Sequence, residues 1–93
     1  TPLYSSAASD VYKRQGLADA MRRDWPAALQ HLRRAEQLSP HSGEVHARIA
    51  EVYLAQGAAG SARQEFQRAL QLEPDNERAR AGLRAIQAMN NEK

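Results

Sequence analysis

Three histidines, His31, His41 and His46, are the side chains best suited to metal or proton-transfer chemistry in this 93-residue chain. No two of them stand at i, i+3 or i, i+4, the spacings that put two imidazoles on one helical face, and there is no cysteine to complete a ligand set. The expectation is a surface His31, a loop His41 and a packing His46, with no metal and no cofactor. Carboxylates are scattered as Glu36, Glu44, Glu51, Glu65, Glu73, Asp75 and Glu77. Glu44 and Glu51 fall two turns apart on one helical face, yet acid–base work needs a cleft that shifts their pKa values. Solvated acids are the plainer expectation. Gly57-Ala58-Ala59-Gly60 lacks the Lys-Ser/Thr ending of a phosphate loop, and no nucleophile elbow is present. No catalytic residue is assigned, and the chain is not expected to be an enzyme.

The basic pairs Arg22-Arg23 and Arg33-Arg34 raise nucleic-acid binding as a possibility. Asp19, Asp24 and Glu36 are interspersed with them, and the formal net charge is only +2, so the arginines read as a solvated face rather than a basic stripe. Hydrophobic residues at 42% and charged residues at 26% are ordinary for a globular domain. No apolar run approaches the ~20 residues that span a bilayer. Neither nucleic acid nor membrane insertion is expected.

Any site must therefore be built by the elements. Ala, Arg, Gln, Glu and Leu dominate, which favours helix over strand. Val45, Ile49, Val52 and Tyr53 stand at i, i+4, i+7, i+8, one helical face, and Ala62, Phe66, Ala69 and Leu70 repeat that spacing. Ala28, Leu32, Ala35 and Leu38 mark a third run, and Ala79, Leu83 and Ile86 a last one. Breakers at Asp24 with Pro26, at 39–43, at 57–60 and at 74–76 separate the runs. The spacing predicts helices over 9–22, 26–38, 43–56, 60–72 and 76–89, with Asp24 and Asp75 as N-caps. Short turns make neighbours antiparallel.

Shifted by 34 residues, the chain matches itself. Ala28, Gln30, Arg34, Ala35, Gln37, Leu38 and Pro40 fall on Ala62, Gln64, Arg68, Ala69, Gln71, Leu72 and Pro74. Seven identities in thirteen positions compare with about one expected from average composition. With this period the chain resembles the tetratricopeptide repeat family. Ile49, Ala50, Tyr53, Ala62, Phe66, Ala69 and Pro74 fill that family's motif positions in one unit. Gly16, Trp25, Ala28, Leu32, Ala35 and Pro40 fill them in the unit before. Small residues let helices approach, large ones fill the gaps between turns, and proline ends the second helix. Three positions depart: His46 and Asp19 stand where the family has large aromatics, and Gln15 where it has leucine.

Residues 5–15, Ser-Ser-Ala-Ala-Ser-Asp-Val-Tyr-Lys-Arg-Gln, resemble one reading frame of a transposase-type sequencing-library adapter, and residues 1–4 what its upstream end could encode. On that resemblance residues 1–15 are a non-native segment and native sequence starts at Gly16, with upstream sequence missing. A shotgun-sequenced, bacterial source is expected, with cytoplasm and periplasm both open. The first helix is accordingly the least secure, and Tyr12 supplies its aromatic by chance.

The resemblance implies an all-α fold of antiparallel hairpins stacked as a short right-handed solenoid of about 2.5 repeats. Unit 1 covers 9–42 and unit 2 covers 43–76. Residues 77–93 are a capping helix, with Arg78, Arg80 and Arg84 on a solvated outer face and a tail fraying from Met89. It also implies a concave partner-binding face from the first helix of each unit. Residue by residue, that face takes Leu17, Ala20 and Met21, then Glu44, Ala47, Arg48, Glu51, Leu54 and Ala55, then Arg78, Ala81 and Ala85. Some members grip a C-terminal carboxylate with Lys, Asn and Arg. This chain has no Asn at the corresponding positions, and no such clamp is expected. The function implied is a non-catalytic scaffold for a protein or peptide. Alternatives are a docking appendage of a larger enzyme, or self-association through the exposed N-terminal edge.

Overall fold

The computed structural model describes residues 3–91, with side chains from Ala7 onward. Thr1 and Pro2 of the adapter-like segment and Glu92 and Lys93 of the tail lie outside the described residues. Five helices follow one another: α1 Leu3–Met21, α2 Trp25–Leu38, α3 Gly43–Ala55, α4 Ala59–Leu72 and α5 Glu77–Asn91. No strand occurs among the described residues. Four helices lie within one or two residues of the sequence expectation at their N-termini. The exception is α1, which starts at Leu3 rather than residue 9. Residues 3–15 hold neither glycine nor proline to stop it. For the same reason α5 runs past Met89 to Asn91.

The ends of the helices show how the chain turns. Asp24 caps α2, its side chain accepting from the Ala27 amide at 3.4 Å, and Ser42 caps α3 from the Val45 amide at 3.3 Å. The cap of α5 is Asn76, whose Oδ1 accepts from the Ala79 amide at 2.8 Å, and not Asp75. Asp75 and Asn76 are both good capping residues, and the register of the first turn selects the second. The amides of Ser39 and Glu73 close α2 and α4 on Ala35 and Ala69, and Pro40 and Pro74 follow at once.

The two hairpin turns superpose in sequence at the 34-residue period. Asp24 N–H donates to Asp19 O at 2.9 Å, and Ala58 N–H to Tyr53 O at 2.9 Å. Arg23 and Gly57 occupy the same turn position, and both adopt a left-handed backbone, with φ 61° and 84°. The first hairpin is antiparallel: Ser9 meets Ala35, Tyr12 meets His31 and Gly16 meets Ala28, one index rising as the other falls.

Two apolar clusters form the core, and α3 serves both. Val45, Ile49 and Val52 pack with Ala28, Leu32 and Ala35 of α2, with Tyr12, Ala20 and Trp25 at the margin. Ala47 and Ala50 pack with Ala62, Phe66 and Ala69 of α4 and with Ala79 and Ile86 of α5. Tyr53 touches both clusters. Small residues sit where helices meet closely. A Cβ on Gly16 would lie 2.6 Å from Leu32 Cγ, and one on Gly82 would run into the Phe66 ring. The adapter-like residues take part in this packing: Ser9 is buried and donates to Ala35 O at 3.2 Å, and Tyr12 stacks on His31.

Candidate partner-binding face

Along α3, Glu44, Arg48, Glu51 and Ala55 recur at i, i+4, i+7, i+11, a stripe that escapes both core clusters. That stripe is the wall between two grooves. The first, of about 420 Å³, lies between α1 and α3 and is lined by Leu17, Ala20, Met21, Trp25, Arg48, Glu51, Val52 and Ala55. Its floor and sides are largely apolar, and Met21 is 86% exposed at its rim. The second, of about 500 Å³, lies between α3 and α5 and includes Glu51, Leu54, Arg78, Ala81, Gly82 and the edge of Phe66.

Most of the residues expected on a concave face are thus brought together, Glu51 lining both grooves. Two are not. Ala47 is wholly buried in the cluster formed with Phe66 and Ala50, because its position on α3 points toward α4 and α5. Ala85 is exposed but lines neither groove. Trp25 and Val52 were legible only as packing residues, although they line the first groove.

The charged side chains on the wall are tied to each other. Arg48 Nε donates to Glu44 Oε2 at 2.9 Å, and its Nη1 lies 3.8 Å from Glu51 Oε1. Arg78 reaches back from α5 and donates to both Glu51 oxygens, at 2.9 and 3.2 Å. Arg78, expected both on the concave face and on a solvated outer face, is a cross-helix partner of Glu51; Arg80 and Arg84 are exposed, and Arg84 lines the second groove with Arg78.

A second set of polar groups sits between the helices. Glu36 and Glu65 were expected to be solvated, and Arg33 to lie free beside acids. Instead Arg33 donates to Glu36 at 3.0 Å, to Glu65 at 3.2 Å and to the Tyr53 hydroxyl at 2.8 Å. His46 Nδ1 lies 2.8 Å from Glu65, and Nε2 3.5 Å from Glu36. The four residues close a ring that links α2 to α3 and α4. Burial works against the Arg33 cation, but bonds to Tyr53 and Glu36 and the charge of Glu65 outweigh it, and its pKa is raised. In the first hairpin Asp19, with its side chain 8% exposed, bonds His31 at 2.6 Å and Arg22 at 2.7 Å. The hydrogen bond from His31 is the main reason its carboxyl lies below the ordinary range; burial opposes it and Arg22 reinforces it. Both acid–imidazole contacts occupy the places where aromatic residues were expected. They tie helices together, and His31 also lines an open, polar hollow with Tyr12, Gln30 and Arg34.

Among the described residues no group of three or more His, Cys, Asp or Glu side chains is arranged to hold a metal ion. Among the described residues no helix is long and apolar enough to cross a membrane.

Comparison with known proteins agrees with the repeat. Among solved structures the chain is similar to the TPR domain of Arabidopsis OM64, with a TM-score of 0.87 at 19% identity, over 95% of this chain and 73% of that one. At that identity the likeness speaks for the fold. No curated protein sequence matches the chain significantly. The sequence model of the tetratricopeptide repeat matches residues 19–86, which include both turns of equal geometry, the proline pair and the whole of α2 to α4. The chain belongs to the tetratricopeptide repeat family.

Proposed function

We propose that this chain is a non-catalytic interaction module that holds a segment of a partner protein across α1, α3 and α5. Repeats of this family mediate protein–protein interaction, and such domains are typically scaffolds without catalysis. The observation that carries the reading here is the groove between α1 and α3. It exposes Met21 beside Leu17, Trp25 and Val52, an apolar surface that a partner would cover. All of its residues lie at Leu17 or beyond, outside the adapter-like segment.

The test is partner capture by the full 93-residue chain against two variants, Met21→Asp and Ala55→Asp. Both positions are exposed, so the fold tolerates the change, whereas Leu54 packs on the core and a charge there would confound binding with unfolding. Loss of the same captured protein in both variants is the expected result. Unchanged capture would remove the groove from consideration. Self-association through the outer edge of α1 has less support. That edge carries Ala7, Val11 and Ala18 among Asp10, Arg14 and Gln15, too broken an apolar strip to drive association.

A further inference from the structure

We propose that the face selects an uncharged helical segment from within a partner chain, with apolar anchors two turns apart, and does not read a chain terminus. This inference rests on the concave face being the docking site, and it names what that site takes.

The first argument is charge. Glu44, Arg48, Glu51 and Arg78 form one continuous ladder of two anions and two cations, with contacts of 2.9, 3.8 and 2.9 Å. A ligand carboxylate would compete with Glu44 and Glu51 for guanidiniums that each already serve an acid. Its gain would be offset by a weakened existing pair and by repulsion from those acids. A ligand cation would meet the same difficulty from the opposite side. Glu77 and Arg84, one of each sign, also line the second groove, so the face as a whole sets three acids against three arginines and favours neither ligand charge, and affinity falls to the apolar surface within the grooves.

The second argument is spacing. The grooves flank a single helix, α3, so their centres are separated by about one helix-to-helix step, roughly 8–10 Å. On a ligand helix, with a rise of about 1.5 Å per residue, side chains at i and i+7 are about 10.5 Å apart and share a face. An extended strand covers that distance in three residues at roughly 3.3 Å each, but residues an odd number apart point to opposite sides. A helix can place one anchor in each groove; a strand cannot. Positions i+3 and i+4 of that helix pass over Arg48 and Glu51, so they must be small.

Trp25 is the single tryptophan of the chain and lines the first groove, so its emission reports occupancy directly. The experiment titrates the full chain with synthetic helical peptides carrying leucine at i and i+7 and alanine at i+3 and i+4. Each is made once with an amidated and once with a free C-terminus. Equal affinity of the two forms, little change between about 0.05 and 0.5 M salt, and loss of about tenfold or more when one leucine becomes alanine are expected. In Glu51→Gln the released arginines should favour the free acid over the amide by about threefold or more. Tighter, salt-sensitive binding of the free acid to the unsubstituted protein would overturn the inference while leaving the groove as the docking site. A Trp25 signal that changes with protein concentration alone would overturn it in favour of a second copy. Silence of Trp25 toward every peptide would also overturn it, and the Met21→Asp capture would then decide separately whether the face binds at all.

Discussion

His46 Nδ1 lies 2.8 Å from Glu65 Oε1, so a side chain that breaks the repeat pattern on α3 is answered by an acid on α4. A carboxylate accepts only, so Nδ1 carries the proton in this bond. Glu65 also takes Arg33, and Glu36 faces both Arg33 and His46 from α2. This ring, buried at His46 and half-buried at Arg33, Glu36 and Glu65, joins the two repeat units beside the apolar clusters.

Removing one member should therefore cost more than removing two. Glu65→Ala leaves Nδ1 of His46, a side chain 6% exposed, without its partner, while Arg33 Nη2 keeps the Tyr53 hydroxyl and His46 Nε2 still faces Glu36. A loss of about 2 kcal/mol in stability is expected from urea denaturation followed by circular dichroism. Glu65→Leu combined with His46→Leu should recover at least half of that loss, since an apolar pair leaves less unsatisfied. A double substitution as damaging as the sum of the two single ones, Glu65→Leu and His46→Leu, would show that the contact carries no coupling.

Asp19 predicts the acid limb of stability. Its folded-state pKa is lowered, chiefly by the hydrogen bond from His31. A lowered carboxylate stabilises the fold above its unfolded value, about 3.9, and that contribution is lost as pH falls through the lower folded value. Thermal stability of the unsubstituted chain should drop as pH falls below about 4. Asp19→Asn should start lower at neutral pH and show a shallower acid limb. Parallel pH profiles for the two proteins would contradict this.

How much of this was legible in the sequence depends on how far apart the relevant residues are. The period of 34 was visible because it repeats side-chain types locally, and with it came the helices, the turns and the proline stops. The stripe Arg48, Glu51, Ala55 was visible for the same reason. Asp19 and His46 read only as departures, because their partners lie 12 and 19 residues away and are fixed by which helix faces which. Ala47 could not be separated from its neighbours on α3 until α5 was in place to cover it. The start of α1 was hidden because no breaker marks it, and the cap of α5 because two good capping residues adjoin.

Gly82 was also invisible, and it makes a sharp prediction. Nothing in its own helix requires a glycine. The requirement comes from Phe66 of α4, fully buried, whose ring occupies the space a Cβ would take. Gly82→Ala should destabilise by about 1–3 kcal/mol through overpacking. Gly60 is the control: a Cβ there meets nothing within 4 Å, and Gly60→Ala near the start of α4 should be neutral or stabilise by up to about 1 kcal/mol. Similar stability of both variants would mean that α5 does not seat on Phe66 as described.

Arg23 and Gly57 test whether the two hairpin turns are physically the same. Each follows the last turn of a first helix, and each has its amide on a carbonyl three residues back, Arg23 on Ala20 at 2.9 Å and Gly57 on Leu54 at 3.0 Å. Each adopts a left-handed backbone, which costs a residue with a Cβ about 1–2 kcal/mol and a glycine almost nothing. Arg23→Gly removes that strain, but the freer unfolded chain takes back roughly 0.4–1 kcal/mol. A net gain of about 0.5 kcal/mol is expected, read as a higher urea midpoint at unchanged slope. Gly57→Ala introduces the strain that Arg23 already bears and should lose about 1 kcal/mol or more. The two substitutions must act in opposite directions, because one repairs and the other damages the same conformation. Effects of the same sign would show that the turns differ, and that the 34-residue period does not extend to the backbone.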